Sequence, residues 1–271
     1  MSDYRIPKLG VAVGKKGIGK TYTTTEMIDG YIKGGNGVKP RRALILDVND
    51  EFEQYRSISL KHIELFSVHP KIEARRVRPF GDDGRRMTLK DVADALWHIL
   101  EVYRGGLLLI EDINKYISDN LPNDLIGAIC TNRHTNTDIV MHFQSIGRIT
   151  PKIWQNINWL RFHKNSDTTI RHKNKFPDKV VLLGIVEGVV NKKYYEGDKR
   201  FYLWIDIDEE KIFGNFSEAD IEEAVDEYCS MNYREVIKPY INKRDKSGNK
   251  VYTNELAITE AKRLLKQNYF S

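Results

Sequence analysis

The sequence has few cysteines and no long hydrophobic run. Its two cysteines, Cys130 and Cys229, lie in different contexts, so we expect free thiols rather than a disulfide-stapled secreted scaffold. The longest apolar stretch, 180–190, reaches about half the length of a membrane-spanning helix. Residues 1–5 form no apolar leader, so no secretory signal is expected. These absences exclude a membrane bundle and favour a cytoplasmic protein.

Internal repeats, low-complexity segments and a strong charge of one sign are also lacking. Lys and Arg number 43 and Asp and Glu 38, a formal net charge of +5, which is too small to identify a partner by itself. Hydrophobic residues make up 41% and charged residues 30% of the 271 residues, which excludes a disordered or a collagen-like chain. We expect one large domain, or one domain with an appendage.

The sequence does contain an alternation of short apolar runs and helical patterns. This alternation is typical of βαβ units and predicts an α/β fold, with a mainly parallel central sheet flanked by helices. Strands are predicted at 9–13, 43–47, 63–68 (an edge strand), 107–110, 138–144 and 159–163, and helices at 20–32, 88–103 and 123–133. Thr88 and Asp91 have the spacing of a capping box at the start of the second helix.

The last third of the chain has a different character. Two β-rich segments, 180–190 and 201–207, flank a polar stretch and predict a β-hairpin. Ser217 and Asp220 have the spacing of a second capping box, which begins an acidic helix, and a final helix is predicted at 254–266. We therefore divide the chain into a core domain, 1–207, and a small helical C-terminal appendage, 208–271.

A phosphate-binding motif follows the first strand. Residues 14–21, Gly-Lys-Lys-Gly-Ile-Gly-Lys-Thr, match the Walker A pattern G-x-x-x-x-G-K-[ST] between a strand and a helix. The glycines let successive N–H groups face one anion, Lys20 reaches the β- and γ-phosphates, and the Thr21 hydroxyl ligates Mg²⁺. The predicted nucleotide-binding residues are Gly14, Lys15, Lys16, Gly17, Ile18, Gly19, Lys20, Thr21 and Tyr22. The motif therefore predicts a site for ATP and Mg²⁺.

An acidic partner for this motif follows the apolar strand 107–110. Glu111 and Asp112 emerge at the carboxyl end of that strand, where α/β sheets keep their ligands. By position, Glu111 takes the magnesium role, through water, and Asp112 acts as the base toward the attacking water. Hydrolytic motors usually have Asp before Glu, so the pair is inverted, and the division of labour between the two stays open. Together with the Walker A motif, the pair predicts an Mg-dependent ATPase.

Two further stretches add detail to this pattern. In Asp47–Phe52 an Asp is followed four residues on by Glu and then by an aromatic residue. Residues 133–145 begin with Arg-His, continue through Asp-Ile and end a strand in Gln-Ser, and 149–156 follow as a helix pattern. With the Walker A motif, these stretches make the chain resemble the P-loop motor ATPases around the DNA translocases FtsK and HerA, which include viral genome-packaging ATPases and Zot-like phage proteins. The resemblance covers about 9–163 and implies a RecA/ASCE-like P-loop NTPase fold.

The resemblance implies roles for two more residues. Gln144 falls where the family keeps a polar sensor of the γ-phosphate, and Arg133 where its arginine finger reaches into a neighbouring subunit. The predicted catalytic residues are thus Lys20, Glu111, Asp112, Gln144 and Arg133. The resemblance further implies a hexameric or pentameric ring that translocates DNA for genome packaging or DNA transfer, in the host cytoplasm or on a virion, with a capsid or assembly-complex protein as a further partner. His134 and His142 lack metal-ligand spacing and are interpreted as structural.

A second class of function stays open. Lys15 stands where the deviant-Walker partition and cell-division ATPases carry a second lysine, and Asp47 and Asn49 loosely resemble their second strand. Lys16 departs from the glycine usual in those proteins, and 133–144 has no counterpart there. The alternative is a nucleotide-dependent assembly or partition switch, Zot-like or deviant-Walker, acting on a protein or membrane partner. DNA-stimulated ATP hydrolysis separates the two classes.

Basic residues with aromatic neighbours indicate where DNA binds. The stretch from Arg161 to Lys179 carries Lys164, Arg171 and Lys173 among others, and 192–195 adds two lysines and two tyrosines. Such side chains contact a phosphate backbone without reading its sequence, as a translocating motor requires. Residues 206–227 are acidic instead and are expected to face away from DNA.

Overall fold

The computed structural model describes residues 5–35, 38–113 and 123–270, and a single sheet dominates it. The strands of this part of the chain are β1 (Leu9–Val13), β2 (Ala43–Leu46), β3 (Arg56–Ser57), β4 (Ala74–Val77), β5 (Leu107–Ile110), β6 (Asp138–Phe143), β7 (Trp159–His163), β8 (Tyr202–Asp206) and β9 (Lys211–Phe213). They form one nine-stranded sheet in the order β3-β4-β2-β5-β6-β1-β7-β8-β9. The pairs from β3 to β7 are parallel, and β8 pairs antiparallel with both β7 and β9.

Helices cover both faces of the sheet. They are α1 (Lys20–Lys33), α2 (Ile63–Val68), α3 (Leu89–Val102), α4 (Asn123–Cys130), α5 (Asn132–Thr135), α6 (Pro151–Trp154), α7 (Val180–Tyr195), α8 (Glu218–Met231), α9 (Tyr233–Val236), α10 (Lys238–Ile241) and α11 (Asn254–Phe270), with 3₁₀ turns at Leu60–His62, Ile146–Arg148, Thr169–Lys175 and Pro177–Lys179. Both predicted capping boxes are present, at Thr88 and at Ser217, each with its two reciprocal hydrogen bonds. Local sequence therefore sets the starts of α3 and α8.

Apolar strands separate two hydrophobic clusters. In β2, Leu44 and Leu46 belong to the larger cluster, whereas Ala43 and Ile45 belong to a smaller cluster that includes Ile28 of α1. Strands buried on both faces read as continuous apolar runs, which is why these segments were recognisable in the sequence. The predicted α/β fold with a mainly parallel sheet is confirmed.

The sheet order brings four chain segments to one edge. Because β1, β6, β5 and β2 are parallel neighbours in that order, their carboxyl ends meet, with Val13 opposite Phe143 and Ile110 between Met141 and Leu46. The residues that follow these strands therefore start from the same edge of the sheet, where open α/β sheets hold their ligands.

A β-hairpin is present, but its first strand is not the predicted one. It joins β8 to β9, with Ile205 opposite Ile212, whereas 180–190 lies within α7. The prediction of a strand at 180–190 is wrong because this helix is buried on most sides, so its β-branched residues show no polar face. Gly184 and Gly188, one helical turn apart, lie where a side chain would meet Tyr228 and Ala224 of α8, and their spacing allows close packing.

The predicted edge strand at 63–68 is also wrong, because the segment forms α2. Ile63, Phe66 and Ser67 are buried while Leu65 is 66% exposed. Buried positions three and four residues apart follow the period of an α-helix. The segment is therefore helical, although its sequence pattern resembles the alternation of apolar and polar residues in a strand.

The C-terminal helices share the larger hydrophobic cluster with the sheet. Ala224 and Cys229 of α8 and Ala261 and Tyr269 of α11 are members of it. The division at residue 207 stays a prediction. Cys229 is buried and Cys130 part-exposed, and both are free thiols. Within the described ranges, no helix is long and apolar enough to cross a membrane.

Candidate active site

The Walker A segment forms a tight loop between β1 and α1. The Gly14 amide donates to the Phe143 carbonyl at 3.2 Å, and the Lys15 amide donates to the Lys164 carbonyl at 2.9 Å. Gly17 and Gly19 have φ values of 75° and 96°, in the left-handed region that glycine tolerates best. The loop therefore curls over the amino end of α1, and this is the backbone shape that binds phosphate.

Lys20 lies within the curl of this loop. Its side chain is largely buried, and its Nζ donates to the carbonyls of Gly14 and Lys15, at 3.1 Å for the latter. Burial lowers the pKa of Lys20, and the neighbouring Asp112 and Glu111 carboxylates oppose that shift. The ammonium group is thus held by two neutral oxygen atoms close to the place where the motif puts phosphate.

Glu111 is the more deeply buried of the two predicted carboxylates, at 2% exposure. Its carboxylate accepts the Asn49 amide at 3.3 Å. Burial, followed by the nearby Asp47 and Glu51 carboxylates, raises the pKa of Glu111 to about 8. Since each of these causes disfavours the ionised form, a cation placed here would lower that pKa.

Asp112 connects Gln144 with the residues that follow β2. Its Oδ2 accepts the Asn49 side-chain amide at 2.9 Å and the Gln144 side-chain amide at 3.3 Å. Its backbone φ of 42° lies in the left-handed region that Asp and Asn enter more readily than most residues. The structure therefore brings together the residues predicted as base and γ-phosphate sensor.

Thr21 faces a carboxylate that the sequence analysis did not assign to the site. Its hydroxyl donates to Glu51 Oε2 at 2.9 Å. The fully buried Asp47 holds this segment, because it accepts the amides of Glu51 and Phe52 and pairs with Arg76 at 2.8 Å. A hydroxyl that gives its proton to Glu51 leaves its lone pairs available to a cation.

These groups line one cavity of about 330 Å³. Its walls are formed by Lys16, Gly17, Gly19, Lys20, Thr21, Tyr22, Asn49, Glu51, Glu111, Asp112, His142, Gln144 and Arg200. Nine of the predicted site residues thus line one cavity. Of the other predicted residues, Gly14 and Lys15 belong to the loop behind the cavity and Ile18 is buried beneath it.

Arg133 lies away from this cavity. It belongs to α5, which precedes β6, and the α5 carbonyl of Thr135 accepts the amide of Gly105 just before β5. This is the amino edge of the sheet, so the length of β6, roughly 20 Å, separates the Arg133 backbone from the loop of its own chain. The Arg133 side chain lies outside the described part of the structure. Its predicted role at a neighbouring subunit stays a prediction.

Asn49, Glu51 and Arg200 line the cavity but were not predicted as site residues. Asn49 and Glu51 follow β2, whose carboxyl end adjoins that of β5, so strand order could have indicated them. Arg200 is distant in sequence, and its guanidinium carbon lies 5.4 Å from the Tyr22 ring centroid. It arrives there because β8 is antiparallel and begins at the edge where β7 ends.

The basic stretch predicted to contact DNA divides into residues with different surroundings. Arg161 is fully buried in β7, donates to the Lys20 carbonyl at 3.1 Å, and lies 5.4 Å from the Trp204 ring centroid. Its place in a DNA-binding surface is therefore a wrong prediction, because β7 is an interior strand in which residues 160–163 are all buried. Arg171 and Lys173 are exposed on a 3₁₀ turn.

The two histidines interpreted as structural have different surroundings. His142 is 1% exposed, and its Nε2 lies 2.8 Å from the Thr24 hydroxyl. Burial, followed by Arg161 and Lys20, holds the pKa of His142 well below its usual value. His134 is exposed on α5. Among the described residues, no three His, Cys, Asp or Glu side chains are grouped to hold a metal alone, whereas Mg²⁺ at triphosphate sites is held largely by phosphate and water.

Known structures provide a comparison for this fold. No protein-family model matches the chain, and no curated protein matches it. The genome packaging NTPase B204 from Sulfolobus turreted icosahedral virus 2 superposes in its AMP complex with a TM-score of 0.51 and 17% identity, over 78% of this chain and 98% of B204. The fold is that of a P-loop NTPase. The ATP-gammaS complex gives 0.51 at 16% identity, over 77% and 96% of the two chains.

A second viral protein gives a similar result. The DNA-packaging ATPase B204 from Sulfolobus turreted icosahedral virus has a TM-score of 0.50 and 14% identity, over 77% of this chain and 97% of its own. At such identities the likeness shows the fold. These two neighbours are viral genome-packaging NTPases, which is the kind of protein that the sequence resemblance indicated.

Proposed function

We propose that this protein is an Mg-dependent ATPase. The observation that carries the proposal is the convergence, in one cavity, of Lys20 and Thr21 with Glu111, Asp112 and Gln144. These five side chains follow three different strands at one edge of the sheet. They match the needs of phosphoryl transfer: a cation for phosphate, oxygen ligands for a metal, and a carboxylate for water. The B204 structures, which hold AMP or ATP-gammaS, support a nucleotide as the ligand.

Each residue has a role that its surroundings support. The Lys20 ammonium group is buried and contacts two carbonyl oxygens. When a triphosphate binds, phosphate oxygens replace these carbonyls, so the group needs little further desolvation. Thr21 and, through water, Glu111 hold Mg²⁺, which supplies positive charge to the phosphates when bound. Asp112, aligned by Asn49 and Gln144, accepts a hydrogen bond from water and orients it toward the phosphate. Gln144 can donate to phosphate while its oxygen accepts from the same water.

We further propose that hydrolysis drives movement of DNA through a homo-oligomeric ring, in genome packaging or DNA transfer, in the host cytoplasm or on a virion. The DNA-packaging ATPase among the structural neighbours and the resemblance of 133–145 to DNA motors support this reading. Hydrolysis that DNA does not change would favour the alternative, a nucleotide-dependent switch with a protein or membrane partner.

Lys20→Ala tests the ATPase proposal. We expect ATP hydrolysis to fall to the background rate, because no other described side chain occupies the curl of the loop, while thermal unfolding still shows a folded protein. Lys33→Ala, at the other end of α1 and exposed, is the matched control and should hydrolyse ATP as the wild type does. Hydrolysis by Lys20→Ala at the wild-type rate would refute the proposed site. The rate of ATP hydrolysis by the wild type, measured with and without DNA, then tests whether hydrolysis is coupled to DNA.

A further inference from the structure

Three lysines and two tyrosines gather on the outer side of the P-loop. Lys15 comes from the loop, Lys164 follows β7, Tyr194 and Tyr195 end α7, and Lys199 lies in the turn before β8. The Nζ of Lys15 donates to the Tyr194 hydroxyl at 2.7 Å and lies 4.3 Å from its ring centroid. We call these five residues the lysine–tyrosine cluster.

The other two lysines approach the same rings. Lys199 Nζ lies 4.1 Å from the Tyr194 ring centroid, and Lys164 Nζ lies 5.2 Å from that of Tyr195. Four separate segments of the chain thus place three ammonium groups against two rings. Cation–π contacts of this kind offset part of the repulsion among the lysines but leave their charges in place.

The positive charge of the lysine–tyrosine cluster is not neutralised within the described chain. The hydrogen bonds of its lysines go to neutral acceptors: the Tyr194 hydroxyl, the Asn191 side-chain oxygen and the Tyr194 carbonyl. The two preceding lysines differ, since Lys192 pairs with Glu223 and Lys193 with Asp220. The hydrogen bond from Lys15 and the charges of the three lysines lower the pKa of the Tyr194 hydroxyl. A positive potential therefore remains at this surface.

We propose that the lysine–tyrosine cluster binds the sugar–phosphate backbone of a nucleic acid. This inference rests on the proposed function and locates its polymer contact. Lys15, Lys164 and Lys199 are not among the residues that line the nucleotide cavity, so the lysine–tyrosine cluster lies outside that cavity. The Tyr195 side chain is 73% exposed. Lysines that have no acidic partner among the described residues, beside the exposed Tyr195 ring, suit repeated phosphates and a stacked base, which gives affinity without sequence choice.

The position of the cluster also couples the polymer to hydrolysis. The Lys15 amide donates to the Lys164 carbonyl at 2.9 Å, and the Lys15 side chain is fastened to Tyr194. A phosphate that attracts Lys15 and Lys164 therefore acts directly on the loop that holds the nucleotide phosphates. Binding of the polymer at this surface should change the rate of ATP hydrolysis.

The test compares two double charge reversals of equal size. Lys164→Glu with Lys199→Glu alters the cluster. Arg171→Glu with Lys173→Glu alters the exposed 3₁₀ turn, which belongs, as Lys164 does, to the basic stretch predicted from the sequence. Binding of a random-sequence DNA duplex, and of one of its strands, is measured by fluorescence anisotropy over a salt series. For the first variant we expect DNA affinity at low salt to fall by about tenfold or more, and the log–log salt slope to decrease by about two. The second variant should bind nearly as the wild type does.

The outcomes separate this inference from the proposed function. If the wild type binds DNA and Lys164→Glu with Lys199→Glu binds it equally well, the cluster is not the contact, although the motor proposal survives. Equal losses of DNA affinity in both variants would also overturn the inference, because the DNA contact would then not be confined to the lysine–tyrosine cluster. If the wild type binds no DNA, the motor proposal itself fails. Thermal unfolding and the milder pair Lys164→Gln with Lys199→Gln distinguish lost contacts from lost fold, since the milder pair should give a smaller loss of the same sign.

Discussion

The P-loop has an acidic side, toward the cavity, and a basic side, at the lysine–tyrosine cluster. The charged groups of the two sides differ in burial. Toward the cavity, Thr21 meets Glu51, with Glu111 and Asp112 behind, and the last two are nearly buried. On the outer side, Lys15 meets Tyr194, and the nearby Tyr195 is largely exposed. Burial and the neighbouring Asp47 and Glu51 carboxylates raise the pKa of Glu111 on the acidic side, whereas the lysines of the basic side are exposed or part-exposed.

The difference shows that one short loop serves two opposite electrostatic needs. Buried carboxylates without enough cations are costly, so the acidic side is stabilised by whatever brings positive charge to it. The lysines of the cluster are exposed or part-exposed, so water solvates them and they cost little without an acidic partner. They gain when a polyanion releases its counterions. Changes on the acidic side should therefore affect catalysis, and changes on the basic side should affect affinity for the polymer.

The largest effect is expected from a cation delivered to the acidic side by a neighbour. An arginine supplied in trans can be worth roughly 10³ to 10⁵ in rate. Because the Arg133 backbone lies at the far edge of its own sheet, Arg133→Ala should bind ATP normally and hydrolyse it at least about a thousandfold more slowly. Mixing it with Lys20→Ala should restore activity, since mixed rings contain an intact loop facing an intact arginine.

The recovery should depend on protein concentration, as assembly does. A mixture that stays inactive although the two variants co-assemble would show that Arg133 is not a finger in trans. Full activity of Arg133→Ala alone would show that Arg133 has no part in hydrolysis, and Arg200, which lines the cavity of its own chain, would be the arginine to test next.

A smaller loss is expected when the acidic side loses its base. Asp112→Asn preserves shape and the left-handed backbone, so nucleotide binding should persist while turnover falls by roughly a hundredfold or more. The measurement is single-turnover hydrolysis beside equilibrium binding of a nucleotide analogue. Should Glu111→Gln show this pattern and Asp112→Asn remain active, the roles assigned to the inverted pair are exchanged.

The smallest effect concerns the protonation of the acidic side without metal. The pKa of Glu111 rises from its ordinary value near 4.5 to about 8 in the folded protein, so the folded state holds an extra proton between these values. The stability linked to this proton is complete below about pH 4.5 and is lost as the pH rises through about 8. In EDTA, the wild type should therefore lose more stability between about pH 6 and pH 9 than Glu111→Gln.

Urea midpoints of both proteins at the two pH values check this expectation. Added Mg²⁺ should reduce the loss in the wild type at the higher pH, because the cation replaces the proton. Parallel pH dependences of the two proteins would mean that Glu111 is ionised throughout and that the acidic side already has enough positive charge from Lys20 and Arg76.

The sequence predicted the acidic side better than the basic side, and distance along the chain explains why. Glu111, Asp112 and Gln144 come directly after buried parallel strands, and the motif that contains Lys20 and Thr21 begins directly after another. An apolar run in the sequence therefore precedes each polar group of the site. Strand order then brings them together. No comparable local signal joins Lys15 to residues 194 and 199, which reach it only through the end of α7.

The helix α7 itself was the hardest element to predict. Val180, Val181, Ile185, Val186, Val189 and Val190 give it the composition of a strand. Packing against β7 and α8 overrides that preference, because the helix is buried and its glycines at 184 and 188 admit the Tyr228 and Ala224 side chains closely. Intrinsic propensity is a weak guide where tertiary contacts bury an element on most sides.

The antiparallel direction of β8 provides a labelling site far from the nucleotide. The strand starts beside His163 at the nucleotide edge and finishes beside Trp159, so the turn to β9 lies one strand length, about 16 Å, away from the loop. Glu209 in that turn is exposed, and its backbone amide donates to Asp206 Oδ1 at 3.0 Å. A cysteine placed at Glu209 would carry a dye or a surface linker at a point remote from both sides of the P-loop. Because Cys229 is buried and Cys130 only partly exposed, labelling would favour that position and permit single molecules to be immobilised with the nucleotide edge facing solution.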